Sequence, residues 1–242
     1  MKTVFFIPVW NQIHEFPGLL RELKAAPPAC DEILIVNNGS TDGSEKYIRE
    51  SGYPYIDLAE NRGIGYSFMC AIDWAIERGF DVFGVIAGNG KMLPSEMPRV
   101  LDPIRQGRAD YVTGSRFLPG GASPNLPAFR GWAIPCVNVF AQALTGVRLT
   151  DATCGYRAYR LEVIRRAQFD WHAKWMWTYG FEYFLYAKVL MERSIRAIEV
   201  PVTMRYPGAG KRYSKIRPVL GWYEMLKPWI LARLDGKGFK KS

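Results

Sequence analysis

The 242-residue chain is poor in the residues that build metal centres and covalent cross-links. It has two histidines, His14 and His172, at no spacing that makes a His-based metal site. Its four cysteines (Cys30, Cys70, Cys136 and Cys154) form no C-x-x-C pair. That excludes a zinc site or a disulfide framework and reads as buried structural thiols. No apolar run in the sequence approaches the ~18–20 residues that span a bilayer. Internal repeats and low-complexity linkers are absent as well. Acids are in deficit: 23 Asp and Glu against 32 Lys and Arg leave a net charge of +9. Such an excess favours anionic partners, whether nucleic acid, acidic lipid or phosphorylated ligands. It gathers in 205–217, where Arg205, Lys211, Arg212, Lys215 and Arg217 stand without an acid. No nucleic-acid-binding motif accompanies this charge, so nucleic acid is not an expected partner.

What is present is a globular composition, 48% hydrophobic, in a chain long enough for one large core. Apolar, β-branched runs predict strands at 4–9, 32–36, 53–58, 82–87 and 111–113, with helices at 16–25, 45–51, 65–78 and 94–106 between them. Ser44 is the expected cap of the second helix. Pro8, Asn11 and Gln12 interrupt the first apolar run early, which reads as a strand and not a signal peptide. An intracellular chain is the resulting expectation. Strands separated by helices predict an α/β fold with a mainly parallel sheet covered on both faces. Beyond Gly114 the pattern changes to a Pro- and Gly-rich loop over 118–128 and a helix over 130–145. A strand near 156–159, helices at 161–167 and 181–193 and a strand at 197–203 follow.

The run Ile33-Leu34-Ile35-Val36 passes straight into Asn37-Asn38-Gly39-Ser40-Thr41-Asp42-Gly43-Ser44. It reads as a buried strand ending in a tight polar loop that opens a helix. In open α/β sheets nucleotides bind at such strand ends. Three more segments stand in register with it: Ile7-Pro8-Val9-Trp10-Asn11-Gln12, Asn61-Arg62-Gly63-Ile64-Gly65 and Ala87-Gly88-Asn89-Gly90-Lys91. Together the four resemble the family-2 glycosyltransferases of the GT-A fold, in particular the polyprenyl-phosphate sugar transferase (dolichyl-phosphate mannose synthase-like) branch. That branch carries P-x-Y-N-E, D-D-G-S-T-D, N-x-G-x-G and D-x-D-G at these places. The likeness continues through Gly114-Ser115-Arg116-Phe117, residues 150–157, Glu199-Val200-Pro201-Val202 and Tyr213-Ser214-Lys215.

The resemblance implies a GT-A domain over 1–215, with a Rossmann-like nucleotide-sugar half (1–115) and an acceptor half (116–215). A basic, amphipathic segment over 216–242 follows. It implies donor contacts from Pro8, Trp10, Asn11, Gln12, Asn37, Asn38, Asn61, Arg62, Gly63, Gly88, Asn89 and Arg116. Arg157, Lys211, Arg212, Ser214 and Lys215 are the expected phosphate and acceptor contacts. Asn37 and Asn38 also suit turn chemistry alone, and the glycines of 61–65 suit a helix start as well as a close approach to phosphate.

The departures from that pattern bear on mechanism. In the resemblance the D-x-D acids hold Mg²⁺ or Mn²⁺ on the donor diphosphate, and hard cations want carboxylate oxygens. Here those positions are Ala87 and Asn89, Gln12 stands for the usual Glu, and Asn37-Asn38 replace two aspartates. No cofactor is therefore expected, and Lys91 is the nearest cation that could stabilise the leaving diphosphate. It could equally be a solvated loop lysine. Asp151 and Glu182 are the candidate bases for a hydroxyl acceptor. Asp151 could instead hold Arg157, and Glu182 could complement a helix dipole. A lipid phosphate acceptor needs no base.

Residues 216–234 mix aromatics, aliphatics and Arg217, Lys227 and Arg233, which suits a helix in a membrane interface or one packed on the domain or on a second subunit. Pro228 is expected to kink or break it. The reading is an inverting glycosyltransferase moving a sugar from a nucleotide-sugar donor to a polyprenyl-phosphate or glycan acceptor. The expected place is the cytoplasm, at the inner face of the membrane. The alternative is a non-catalytic relative that binds nucleotide sugars.

Overall fold

The computed structural model describes residues 1–25, 28–166, 169–208 and 220–235. Seven strands form one sheet: β1 (Thr3–Val9), β2 (Glu32–Asn38), β3 (Tyr55–Leu58), β4 (Val82–Val85), β5 (Tyr111–Ser115), β6 (Arg157–Arg160) and β7 (Ala197–Pro201). Their order is β3-β2-β1-β4-β6-β5-β7, and β6 alone runs antiparallel to its neighbours. The helices are α1 (Phe16–Ala25), α2 (Ser44–Arg49), α3 (Ile64–Glu77), α4 (Met97–Arg105), α5 (Ala128–Thr145), α6 (Leu161–Arg166), α7 (Gly180–Met191) and α8 (Leu220–Leu234).

Alternation along the central strands divides the core in two. Val4 and Phe6 of β1, with Leu34 and Val36 of β2, pack on the face covered by α3, α7 and α8. Phe5, Ile7 and Val9, with Ile33 and Ile35, pack on the opposite face against Phe16, Leu19 and Leu23 of α1 and Met97, Val100 and Leu101 of α4. Both faces are buried, which is why these strands read as unbroken apolar runs.

Several boundaries differ from the sequence expectation. β2 runs on through Asn37 and Asn38, which pair with Asp57 and Leu58 of β3, so both amides belong to the strand and not to a loop. Ser44 is the first helical residue of α2 rather than its cap. The carboxylate of Asp42 accepts its backbone N–H (2.9 Å), while the Ser44 hydroxyl accepts that of Gln12 (2.9 Å). α8 continues through Pro228 without breaking, because Met225, Trp229 and Ala232 are buried and tertiary packing outweighs the one lost hydrogen bond. Of the four free thiols only Cys154 is fully buried; Cys136 is exposed on α5. The two halves read from the sequence share one sheet, since β6 from the second lies between β4 and β5 of the first. α8 in turn packs into the core of the domain it was expected to follow. No helix among the described residues is long and apolar enough to cross a membrane.

Candidate active site

Because β1, β2, β4, β5 and β7 run the same way, their carboxyl ends share one edge of the sheet, and β6 begins there. The predicted residues from β1, β2, β4, β5 and the loop before β6 converge on that edge. Lys211, Arg212, Ser214 and Lys215 lie outside the described residues.

At the β1–β2 side the polar residues hold loops together. Asn37 is 2% exposed; its amide donates to Asp57 Oδ1 (2.7 Å) and its oxygen accepts from the Ser40 backbone (3.1 Å). Asn38 donates to Asn61 Oδ1 (3.1 Å) and accepts from the Arg62 backbone (3.1 Å). Asn11, at φ 49°, accepts from the Thr41 backbone (2.8 Å), and its own N–H reaches Ser40 (3.1 Å). Gly39 (φ 65°) passes so close to Glu60 that a Cβ there would sit 2.4 Å from its carbonyl carbon. The exposed Arg62 turns to Glu60 (3.0 Å) and Tyr66 (3.3 Å). Trp10, 37% exposed, stands where β1 leaves the sheet. Pro8 pairs with Val36 in the sheet, and its carbonyl accepts from the Gly88 backbone (3.3 Å).

The glycines of 61–65 make room for the protein's own backbone. A Cβ at Gly65 would lie 1.8 Å from the Met176 carbonyl oxygen, and one at Gly63 would lie 2.3 Å from that of Trp177. The N–H groups of Gly65 and Tyr66 donate to Thr178 (2.8 Å) and Trp177 (3.1 Å). The first turn of α3 is thus covered by the strap that leads into α7, and two of its donors are taken.

On the β4–β5–β6 side two buried ion pairs fix the frame. Arg116 reaches both oxygens of Asp151 at 2.6 Å, with side chains 1% and 0% exposed. Its guanidinium also donates to Thr153 (2.6 Å) and to the Tyr206 hydroxyl. Arg157, 1% exposed, lies on the Tyr186 ring and meets Glu182 at 3.4 Å. Asp151 therefore holds Arg116 and not Arg157, and Arg157 is enclosed by protein. Glu182, in the first turn of α7, keeps a face toward Gly155 and Met92: a Cβ at Gly155 would be 3.5 Å from its Oε1. Burial raises its pKa, with Arg157 working against the rise.

Lys91 sits in the loop after β4, over the Tyr206 ring at 5.4 Å. Arg130, from the first turn of α5, faces the same ring at 6.0 Å. Burial, then Arg130, then Arg116 push the Lys91 pKa down to about 8, opposed by Glu15. Sequence reasoning missed Arg130 and Tyr206. Arg130's signal was there, as the only charged residue of α5.

The D-x-D positions do not suit a hard divalent cation. Ala87 offers a methyl group, and Asn89 Oδ1 accepts from the Lys91 backbone (3.2 Å). Among the described residues no cluster of three or more His, Cys, Asp or Glu is placed to hold a metal. A concavity of about 520 Å³ among Lys2, Tyr53, Trp74, Arg78 and Phe80 opens at the other edge of the sheet, away from these groups.

In structural comparison the whole chain superposes on 82% of glucosyl-3-phosphoglycerate synthase from Mycobacterium tuberculosis in complex with UDP, with a TM-score of 0.66 and 16% identity. That likeness gives the GT-A fold. In sequence, the chain is 32% identical to an undecaprenyl-phosphate mannosyltransferase of Micrococcus luteus, over 84% of this chain and 83% of that one. It is 31% identical to a polyprenol monophosphomannose synthase of Mycolicibacterium smegmatis, over 97% and 89%. The profile of glycosyl transferase family 2 matches residues 4–167. The chain belongs to glycosyl transferase family 2.

Proposed function

We propose that this glycosyltransferase moves a sugar, with inversion, from a nucleotide-sugar donor to a polyprenyl phosphate, without a divalent metal. The similarity to two transferases named for polyprenyl acceptors, running over most of all three chains, carries this reading. A phosphate oxygen of the acceptor attacks the anomeric carbon as the nucleoside diphosphate leaves. That oxygen is already anionic, so no side chain has to remove a proton. Glu182 then orients Arg157 and the acceptor side of the cleft. Negative charge building on the diphosphate meets Lys91 and Arg130 in place of a metal, which is electrostatic stabilisation by fixed cations. The outward residues of α8, Tyr223, Ile230 and Leu234, support a membrane contact within 216–234.

The test is transfer from GDP-, UDP-, CDP- and dTDP-sugars to undecaprenyl phosphate, with and without EDTA. Glycolipid formed in EDTA is the expected product. Activity lost on chelation and restored by Mg²⁺ sinks the metal-free part. Binding of a donor with no transfer favours the second reading, a non-catalytic relative, which the missing acids also fit.

A further inference from the structure

Three cations meet around the Tyr206 side chain. Lys91 stands over its ring at 5.4 Å, Arg130 faces the same ring at 6.0 Å, and Arg116 donates to its hydroxyl. They come from separate places in the chain: the loop after β4, the first turn of α5 and the end of β5. Like charges this close repel. After burial itself, Arg130 and then Arg116 push the Lys91 pKa down, against Glu15. A tyrosine in contact with all three offsets part of that repulsion, because its ring face attracts cations and its hydroxyl oxygen accepts from a guanidinium.

Tyr206 is built into the frame and only 5% exposed. Its segment is laced to the loop after β4, where the Arg205 backbone N–H donates to the Lys91 carbonyl (2.8 Å) and the Arg205 guanidinium to that of Gly90 (3.0 Å). It is laced equally to the loop before α5. There Met204 donates to the Ala122 carbonyl (2.9 Å), Tyr206 to that of Pro124 (3.1 Å), and the Asn125 amide to the Tyr206 carbonyl (3.3 Å). The ring therefore has a fixed place relative to both backbones that carry Lys91 and Arg130.

We infer that Tyr206 is a positioning residue, which holds Lys91 and Arg130 at the spacing that receives the donor diphosphate. It acts through these two cations. The inference rests on the proposed function for the diphosphate, and it adds the residue that lets two mutually repelling cations act on one ligand.

Titration of the full chain in EDTA with GDP, UDP, CDP and dTDP, and with the matching monophosphates, tests it. Wild type should bind one diphosphate more tightly than its monophosphate. Tyr206→Leu should weaken that diphosphate by about tenfold or more and leave the monophosphate within about twofold, a contrast that general loss of fold does not produce. Tyr206→Met should behave in the same way, and Tyr206→Phe, which keeps the ring, should recover most of the diphosphate affinity. Combined with Lys91→Ala, the Tyr206→Leu loss should fall well short of multiplying, since both changes remove the same placed cation. Full diphosphate affinity in Tyr206→Leu and Tyr206→Met overturns the inference, as do equal losses of both nucleotides or losses that strictly multiply. A Tyr206→Phe variant as weak as Tyr206→Leu, or a wild type that gains nothing from the second phosphate, overturns it too. Nucleotide binding needs no acceptor and no turnover. A chain that shows the expected pattern but transfers no sugar refutes the proposed function alone. One that glycosylates undecaprenyl phosphate in EDTA equally well as wild type and as Tyr206→Leu refutes this inference alone.

Discussion

Asn37 donates its side-chain amide to Asp57 across the β2–β3 pair at 2.7 Å, while Asp57 also meets Arg49 at 3.2 Å. The amide is therefore matched to a carboxylate in the next strand. An aspartate at 37 would set two carboxylates against each other. Asn37→Asp should cost about 1 kcal/mol at neutral pH, as like charges across a strand pair do. The double change Asn37→Asp with Asp57→Asn should recover most of it. Urea unfolding of the four proteins in a double-mutant cycle measures the coupling, and strict additivity would refute the pairing.

Lys91 carries the clearest pH prediction. Its folded pKa, near 8, lies below that of free lysine, so the folded state favours the neutral amine. The penalty for the charged form is complete below pH 8 and fades as pH rises toward the free-lysine value. Lys91→Met should thus raise the thermal midpoint at pH 7 and lose that advantage at high pH. The same variant should reduce turnover by about 10²-fold or more if the cation faces the leaving diphosphate. Donor binding near pH 8 should take up a proton in wild type and none in Lys91→Met, which calorimetry in two buffers reads directly.

Glu182 has a raised pKa because burial outweighs its contact with Arg157. With a phosphate acceptor no proton has to be removed, so Glu182→Gln should keep turnover within about tenfold. A loss of about 10²–10⁴-fold, together with removal of an acid limb from the pH–rate profile, would make Glu182 a base instead.

Asp151 is enclosed by Arg116, and its backbone N–H donates to Glu199 (2.9 Å). Removing its charge leaves a buried guanidinium unpaired, so Asp151→Ala should destabilise the fold by about 3–5 kcal/mol. Chemical denaturation checks this. A variant of wild-type stability that is simply inactive would restore Asp151 as a candidate base.

Gly65→Ala should push the Met176–Thr178 strap off α3, because the new methyl would overlap a carbonyl oxygen. About 3 kcal/mol of stability, or the docking of the strap itself, is at stake. Proteolysis around residues 170–179 should accelerate. Unchanged protection would show that the backbone adjusts freely there.

Architecture and family were legible in local sequence patterns alone. Runs such as Val4–Val9 and the Phe16, Leu19, Leu23 spacing are local signals, because side-chain direction repeats every two or every 3.6 residues. Parallel strands then deliver their end loops to one edge, which brings the motif segments together there. The tertiary structure decided what each polar side chain does there. Asn37, Asn38, Arg116 and Arg157 look like ligand contacts in a motif, yet each is held by a group far away in the chain. Arg130 and Tyr206 carry no motif at all and meet Lys91 only through folding. The partner of a buried polar group is chosen by long-range packing and by the cost of leaving it unsatisfied, and neither is written in its neighbours along the chain.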